Sequence, residues 1–211
     1  MTGRWGTALL ALCLAIAGLV ALAIAYGGTA TYGSIMREHA LANFPIDTLI
    51  GWHNAWFGYV TGDAPLDRAV LGGSVFTPSE YSHMADVRNV FVAFRIAAAA
   101  AGIVGIGLVF RVARRGRRAT VELVRDAALA AALGVAVIAG AAVVAFDPLF
   151  LLFHEVFFPQ GNFLFAADSN LLAVYPDEYW YGVTLRIGFT FAAAVAMIAL
   201  AATATLRQGR R

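Results

Sequence analysis

The chain has 211 residues, of which 61% are hydrophobic and 13% charged, with a formal net charge of +2 and a mean hydropathy of +0.74. That balance excludes an ordinary soluble domain and describes a polytopic membrane protein. A single cysteine, Cys13, excludes a disulfide framework and a thiolate metal site; set inside an apolar run, it reads as a small core residue.

Four apolar windows are each long enough to span a bilayer: Thr7 to Ala25, Val90 to Phe110, Ala127 to Phe146 and Val183 to Leu206. The first exceeds a secretory h-region and lacks a small-residue cleavage site, so it is read as a retained helix. The glycines of Tyr26-Gly27-Gly28-Thr29 end it, and Arg37, Glu38 and His39 fall in a polar loop. Ile46, Leu49, Ile50, His53, Trp56, Phe57 and Val60 then recur at the spacing of an amphipathic helix lying at the interface. Trp52, Trp56 and Tyr59 suit that depth, and His53 within the stripe reads as a packed histidine. Thr61-Gly62-Asp63-Ala64-Pro65 is a turn, and Arg68 to Phe76, interrupted by Gly72-Gly73, reads as a short β-hairpin or an irregular cap.

Thr77, Pro78 and Glu80 supply an N-cap, a first-turn proline and the glutamate of a capping box, so a helix starts there and runs on to Phe110. At about 1.5 Å per residue it is longer than the roughly 30 Å of a bilayer's apolar core, which leaves its first turns outside the hydrocarbon. His83 and Asp86 share one face of those turns, with Arg88 on a neighbouring one. After the third span, Asp147-Pro148 opens a short apolar helix carrying His154 and Glu155, which Pro159-Gln160-Gly161-Asn162 stops; it is too short to span. Asp168-Ser169-Asn170 makes a turn, and Tyr175-Pro176 leads into the last helix.

The arginines give the orientation. Arg111, Arg114, Arg115, Arg117, Arg118 and Arg125 lie between the second and third spans, and Arg207, Arg210 and Arg211 lie in the tail. Residues 147–182 hold five carboxylates and no arginine. The positive-inside rule therefore puts both termini and the loop 111–126 in the cytoplasm, and the loops 27–89 and 147–182 outside. All four histidines fall in the two outer loops. The expected architecture is one all-α membrane domain over 1–211, four transmembrane helices capped on the extracytoplasmic side by the two outer loops with their interfacial helices. The basic loop carries no nucleic-acid motif, so nucleic acid is not an expected partner.

Two polar groups stand out, Tyr81/His83/Asp86/Arg88 and His154/Glu155. Metal ligation is a weak reading, because no His-Glu-x-x-His or comparable spacing is present. Haem held by two histidines is disfavoured by their position at helix ends. Ser82 adjoins His83, but neighbours on a helix point about 100° apart, and there is no Gly-x-Ser-x-Gly elbow. General acid/base work on a lipid-borne substrate suits two imidazoles at a membrane surface. A non-enzymatic lipid- or protein-binding module, with the same side chains tying helix tops together, is the alternative.

Glu80-Tyr81-Ser82-His83-Met84-Ala85-Asp86-Val87-Arg88, followed by Phe153-His154-Glu155-Val156-Phe157-Phe158 and then by Asp168, Leu171-Leu172 and Tyr175-Pro176, resembles the lipoprotein intramolecular transacylases (Lit). The resemblance implies a four-helix bundle with an extracytoplasmic cap, and His83 and His154 as catalytic residues. It implies acyl transfer in the outer leaflet of a bacterial cell membrane, from the sn-2 position of a diacylglyceryl-cysteine to its own α-amine. The partners would be diacylglyceryl lipoproteins and membrane phospholipid, with neither cofactor nor metal required. On that reading His154, oriented by Glu155, is the base. His83, held by Asp86, is the acid, and Arg88 or Tyr81 polarises the ester oxyanion. Phe163 stands where the family often has a tryptophan.

Overall fold

The computed structural model describes residues 3–39, 44–62 and 64–208, and the helix-ending side chains of Glu38 and His39 lie outside the description. Asp63 of the expected turn, and Arg210 and Arg211 of the tail, are likewise outside it. The described residues form helices α1 (Arg4–Tyr26), α2 (Thr29–His39), α3 (Ile46–Thr61), α4 (Pro78–Ala113), α5 (Arg117–Val144), α6 (Phe146–Phe157), α7 (Asn170–Val174) and α8 (Asp177–Gln208). Helices α1, α4, α5 and α8, of 23, 36, 28 and 32 residues, are long and apolar enough to cross a membrane. Together they make a multi-pass membrane protein. No strand occurs among the described residues, and 68–76 is a run of turns and bends with Gly72 and Gly73 at φ 72° and 65°, so the hairpin reading gives way to the irregular one.

The chain divides into two compact units. The first comprises residues 1–22, 95–141 and 186–211. Its core is built from small and β-branched side chains, among them Ala127, Ala128, Ala131, Val135, Val195 and Ala199, with Leu10 and Phe191. Lipid is as apolar as leucine, so burial alone does not drive these helices together; close backbone approach and van der Waals packing do. Gly18 permits it, since a Cβ there would lie 2.7 Å from the Phe191 ring. The outward residues, such as Ile103, Ile106, Leu133, Val137 and Leu200, are apolar and uncovered, as a lipid-facing surface requires.

The second unit comprises residues 23–94 and 142–185. Its core is aromatic, with Tyr32, Trp52, Trp56, Phe76, Phe158 and Tyr179 all buried. Helix α3 buries Leu49, His53, Trp56 and Val60 of the amphipathic stripe expected from the sequence and Trp52 beside them, while Ile46, Ile50 and Phe57 of that stripe are half-buried. Trp52 packs edge-on against Phe76 at 5.3 Å. Helix α2 replaces the expected polar loop. Its apolar positions Tyr32, Ile35 and Met36 make a single buried turn, too short a signal to register as periodicity. Gly27 between α1 and α2 is required by packing, because a Cβ would collide with the Phe57 ring and press on the Ala23 carbonyl oxygen.

Candidate functional site

The N-terminus of α4 is built as its sequence specifies. Thr77 N–H donates to Glu80 Oε2 at 2.6 Å, and Glu80 N–H donates to the Thr77 hydroxyl at 3.3 Å, the two reciprocal bonds of a capping box. The other carboxylate oxygen of Glu80, a residue 1% exposed, reaches across to α7 and accepts from the Ser169 hydroxyl and from Leu171 N–H at 2.9 Å. Asn170 adds a bond from its side-chain amide to the Val75 carbonyl at 2.6 Å. The same glutamate thus starts α4 and ties down the segment that follows the second motif.

One turn further along α4, His83 is buried at 6% exposure. Its ring lies 6.1 Å from that of His154 on α6, centroid to centroid, with the planes 22° apart. The two histidines are 71 positions apart in sequence and share one site. Aromatic rings enclose them. Phe158 is 4.7 Å and Phe165 5.4 Å from His83, while Phe150 and Phe163 are 4.3 and 5.1 Å from His154. Phe163, the departure from the expected tryptophan, therefore still supplies a ring against the histidine.

His154 Nδ1 lies 2.8 Å from the carbonyl oxygen of Phe150. A carbonyl can only accept, so Nδ1 carries the proton and Nε2 is left with its lone pair. Burial pulls the pKa of His154 below the ordinary imidazole value, opposed by the Phe150 bond and the charge of Asp177. The ring is therefore neutral at physiological pH and able to take a proton. Glu155 is exposed and makes no hydrogen bond or ion pair among the described residues; the helix's own backbone orients His154.

On the His83 side, burial pulls the pKa of the ring down to about 4, with the neighbouring Asn162 side chain opposing part of the shift, and Nδ1 is buried with no hydrogen-bond partner among the described residues. Asp86 Oδ2 accepts from Asn162 Nδ2 at 2.6 Å and from Gln160 Nε2 at 2.9 Å. An amide therefore stands between Asp86 and His83, in a loop turned by Gly161 at φ 75°. Gln160 and Asn162 registered in the sequence only as a helix stop, since nothing local says that such residues will meet α4. Tyr81, two positions from His83 and on the far side of α4, packs against Trp56 and Phe76 with Arg68 over its ring at 4.7 Å. Arg88 sits over the Tyr59 ring at 4.8 Å. Neither is among the groups that contact the two histidines. A groove of about 320 Å3 opens beside Asp86, bounded by Asn89, Val90, Ala93 and Phe94 of α4 and by Phe157 and Gln160. No group of three or more His, Cys, Asp or Glu side chains among the described residues is arranged to hold a metal ion.

A family model described as "Lipoprotein intramolecular transacylase Lit" matches residues 6–180. The chain belongs to the lipoprotein intramolecular transacylase family. Among solved structures, the membrane-integral lipoprotein intramolecular transacylase Lit from Bacillus cereus superposes with a TM-score of 0.79 at 14% identity, covering 97% of each chain. A form of the Bacillus protein with one histidine replaced by arginine matches at a TM-score of 0.78 and 13% identity, over 98% of this chain and 93% of that one. A form with a histidine-to-alanine replacement matches at 0.78 and 14%, over 98% and 94%. At such identities the likeness is one of fold: this member of the transacylase family has the Lit-like helical architecture. No curated protein matches the sequence. Family membership makes it an acyltransferase-like membrane enzyme of lipoprotein modification.

Proposed function

We propose that this protein transfers the sn-2 acyl chain of a diacylglyceryl-cysteine to the free α-amino group of the same cysteine, leaving an N-acyl lyso-lipoprotein. The reading rests on one observation, the approach of His83 and His154 to 6.1 Å inside a family of lipoprotein transacylases. The site faces the outer leaflet, with both termini and the arginine-rich 111–126 segment in the cytoplasm, as the charge distribution supports. Residues 27–89 and 147–182 are then the outer segments of one membrane domain, in contact with phospholipid.

His154 takes the proton from the attacking nitrogen through Nε2, and His83 delivers one to the departing glycerol oxygen. The C–N bond forms as the ester C–O bond breaks, so no external donor enters. Amine and ester are on one molecule, and holding such partners in line is worth up to roughly 7–11 kcal/mol of a barrier. The enclosing phenylalanines keep bulk water from competing with the amine for the ester.

Mass spectrometry of a reporter lipoprotein's N-terminal peptide tests this directly, in a host without other N-acylation. Wild-type protein should convert the diacylglyceryl form to the N-acyl lyso form. His83→Ala and His154→Ala should each reduce conversion by about 10²- to 10⁴-fold, the usual worth of one positioned proton-transfer group. An unchanged diacylglyceryl form with wild-type protein would leave the lipid- or protein-binding module in its place.

A further inference from the structure

Asp86 lies on α4 three positions after His83, and it does not contact His83 by a direct hydrogen bond. Oδ2 is taken by the amides of Gln160 and Asn162, while Oδ1 makes no hydrogen bond among the described residues. The same side chain forms the charged end of the groove of about 320 Å3, whose remaining lining is the apolar Val90, Ala93, Phe94 and Phe157 together with the amide side chains of Asn89 and Gln160. Phe94 and Phe157 close that wall edge to face at 5.2 Å. The volume lies at the lower end of small-ligand pockets. A groove with a carboxylate and two amides at its polar side and hydrocarbon along the rest of its wall is complementary to a cationic head on an apolar body. His83, with a buried and unpartnered Nδ1, is one helical turn from the carboxylate.

We infer that Asp86 is the subsite for the α-ammonium of the diacylglyceryl-cysteine, with the α4/α6 groove carrying hydrocarbon of the same substrate. This deepens the transacylase reading and rests on it. At neutral pH the substrate's amine is largely protonated, its reference pKa being about 7.7–8.0, and a protonated amine cannot attack. Asp86 receives it as the cation. One proton then passes to His83; burial holds the pKa of that ring down at about 4, so the transfer is uphill and the imidazolium it makes is a strong acid toward the leaving glycerol oxygen. The neutral amine attacks the ester carbon, and His154 takes the second proton as the C–N bond forms. Collapse breaks the C–O bond, and the alkoxide takes the proton from His83. His154 finally releases its own to solvent, so one ammonium yields one amide, one hydroxyl and one proton.

The test is binding, separated from turnover. The probe is a peptide with an N-terminal S-(2,3-dialkoxypropyl)cysteine, whose ether links cannot transfer, added to the full-length protein in phosphatidylcholine nanodiscs. Its free-amine form should bind roughly tenfold more tightly than its N-acetyl form, as for one charge-assisted hydrogen bond. Asp86→Asn should abolish that preference while leaving affinity for the N-acetyl form unchanged, which also certifies the fold. Ala93→Trp, filling the groove, should weaken both forms. Retention of the preference in Asp86→Asn overturns the subsite, as does undiminished binding in Ala93→Trp. Loss of the preference when phosphatidylethanolamine replaces phosphatidylcholine also overturns it, since the site would then be one for lipid headgroup ammonium. If the preference behaves as stated but wild-type protein converts no ester substrate, the amine subsite stands and the transacylase reading fails.

Discussion

His53 is the residue whose chemistry and packing are most opposed. It is fully buried and stacked on Tyr32 at 3.9 Å with the rings 5° apart, and Phe57 flanks it at 5.6 Å. Neither ring nitrogen has a hydrogen-bond partner among the described residues. Burial draws its pKa down to about 4, with the Gly27 backbone opposing part of the shift. A folded-state value below the unfolded one means that the proton favours the unfolded chain. The contribution of neutral His53 is fully present above about pH 6.5 and is lost as pH falls toward 4, amounting to about 3 kcal/mol at the acid end. His53→Phe keeps the ring and removes the titration, so its melting temperature should fall less between pH 7 and pH 4.5 than that of wild type. An identical acid dependence in the two proteins would show that His53 is not the sensor. Because His53 is absent from the His83/His154 site, the same variant should retain transfer activity, whereas His154→Ala should not.

At the scale of elements, α7 is the instructive case. Five residues cannot hold a helix by propensity, so its position depends on what grips its ends. Ser169 caps it and donates to Glu80, Leu171 N–H donates to the same carboxylate, and at the far end Tyr32 Oη donates to the Val174 carbonyl at 2.9 Å. A buried carboxylate accepting three backbone or hydroxyl donors in this way is costly to disturb. Glu80→Gln keeps the volume but turns one acceptor oxygen into a donor facing N–H or O–H groups. It should destabilise the protein by about 1.5–3 kcal/mol, with Ser169→Ala costing about 1 kcal/mol. The double variant should cost less than the two singles added together, because both remove the same bond. Thermal unfolding in detergent reads all three, and strict additivity would mean that Glu80 and Ser169 do not act on each other. Helix α6 makes the complementary point: no residue of it is buried, and its value lies in delivering His154.

At the scale of the whole molecule, the arginine distribution predicts which side each segment occupies. Gly116, between α4 and α5, should be shielded from membrane-impermeant thiol reagents in intact cells, and the exposed Asp168 should be reached by them. Labelling Gly116→Cys and Asp168→Cys in a Cys13→Ala background decides it, and external modification at 116 would reverse the topology. Much of the protein was set by its sequence alone. Four spans follow from run lengths that only a bilayer accommodates, the start of α4 from the local chemistry of Thr77, Pro78 and Glu80, and α3 from a repeat of 3.6. The two histidines were legible because they sit in distinctive motifs. These signals are local: each depends on residues within a few turns of one another. The tertiary structure alone decided that Asn162 stands between Asp86 and His83, that Glu80 holds α7, that Tyr81 and Arg88 are engaged elsewhere, and that the Phe150 carbonyl rather than Glu155 orients His154. Three of those arrangements join residues far apart in the chain, and the fourth turns on the rotamer of one ring. Neither a periodicity nor a cap can encode them, because they exist only once distant segments have been packed side by side.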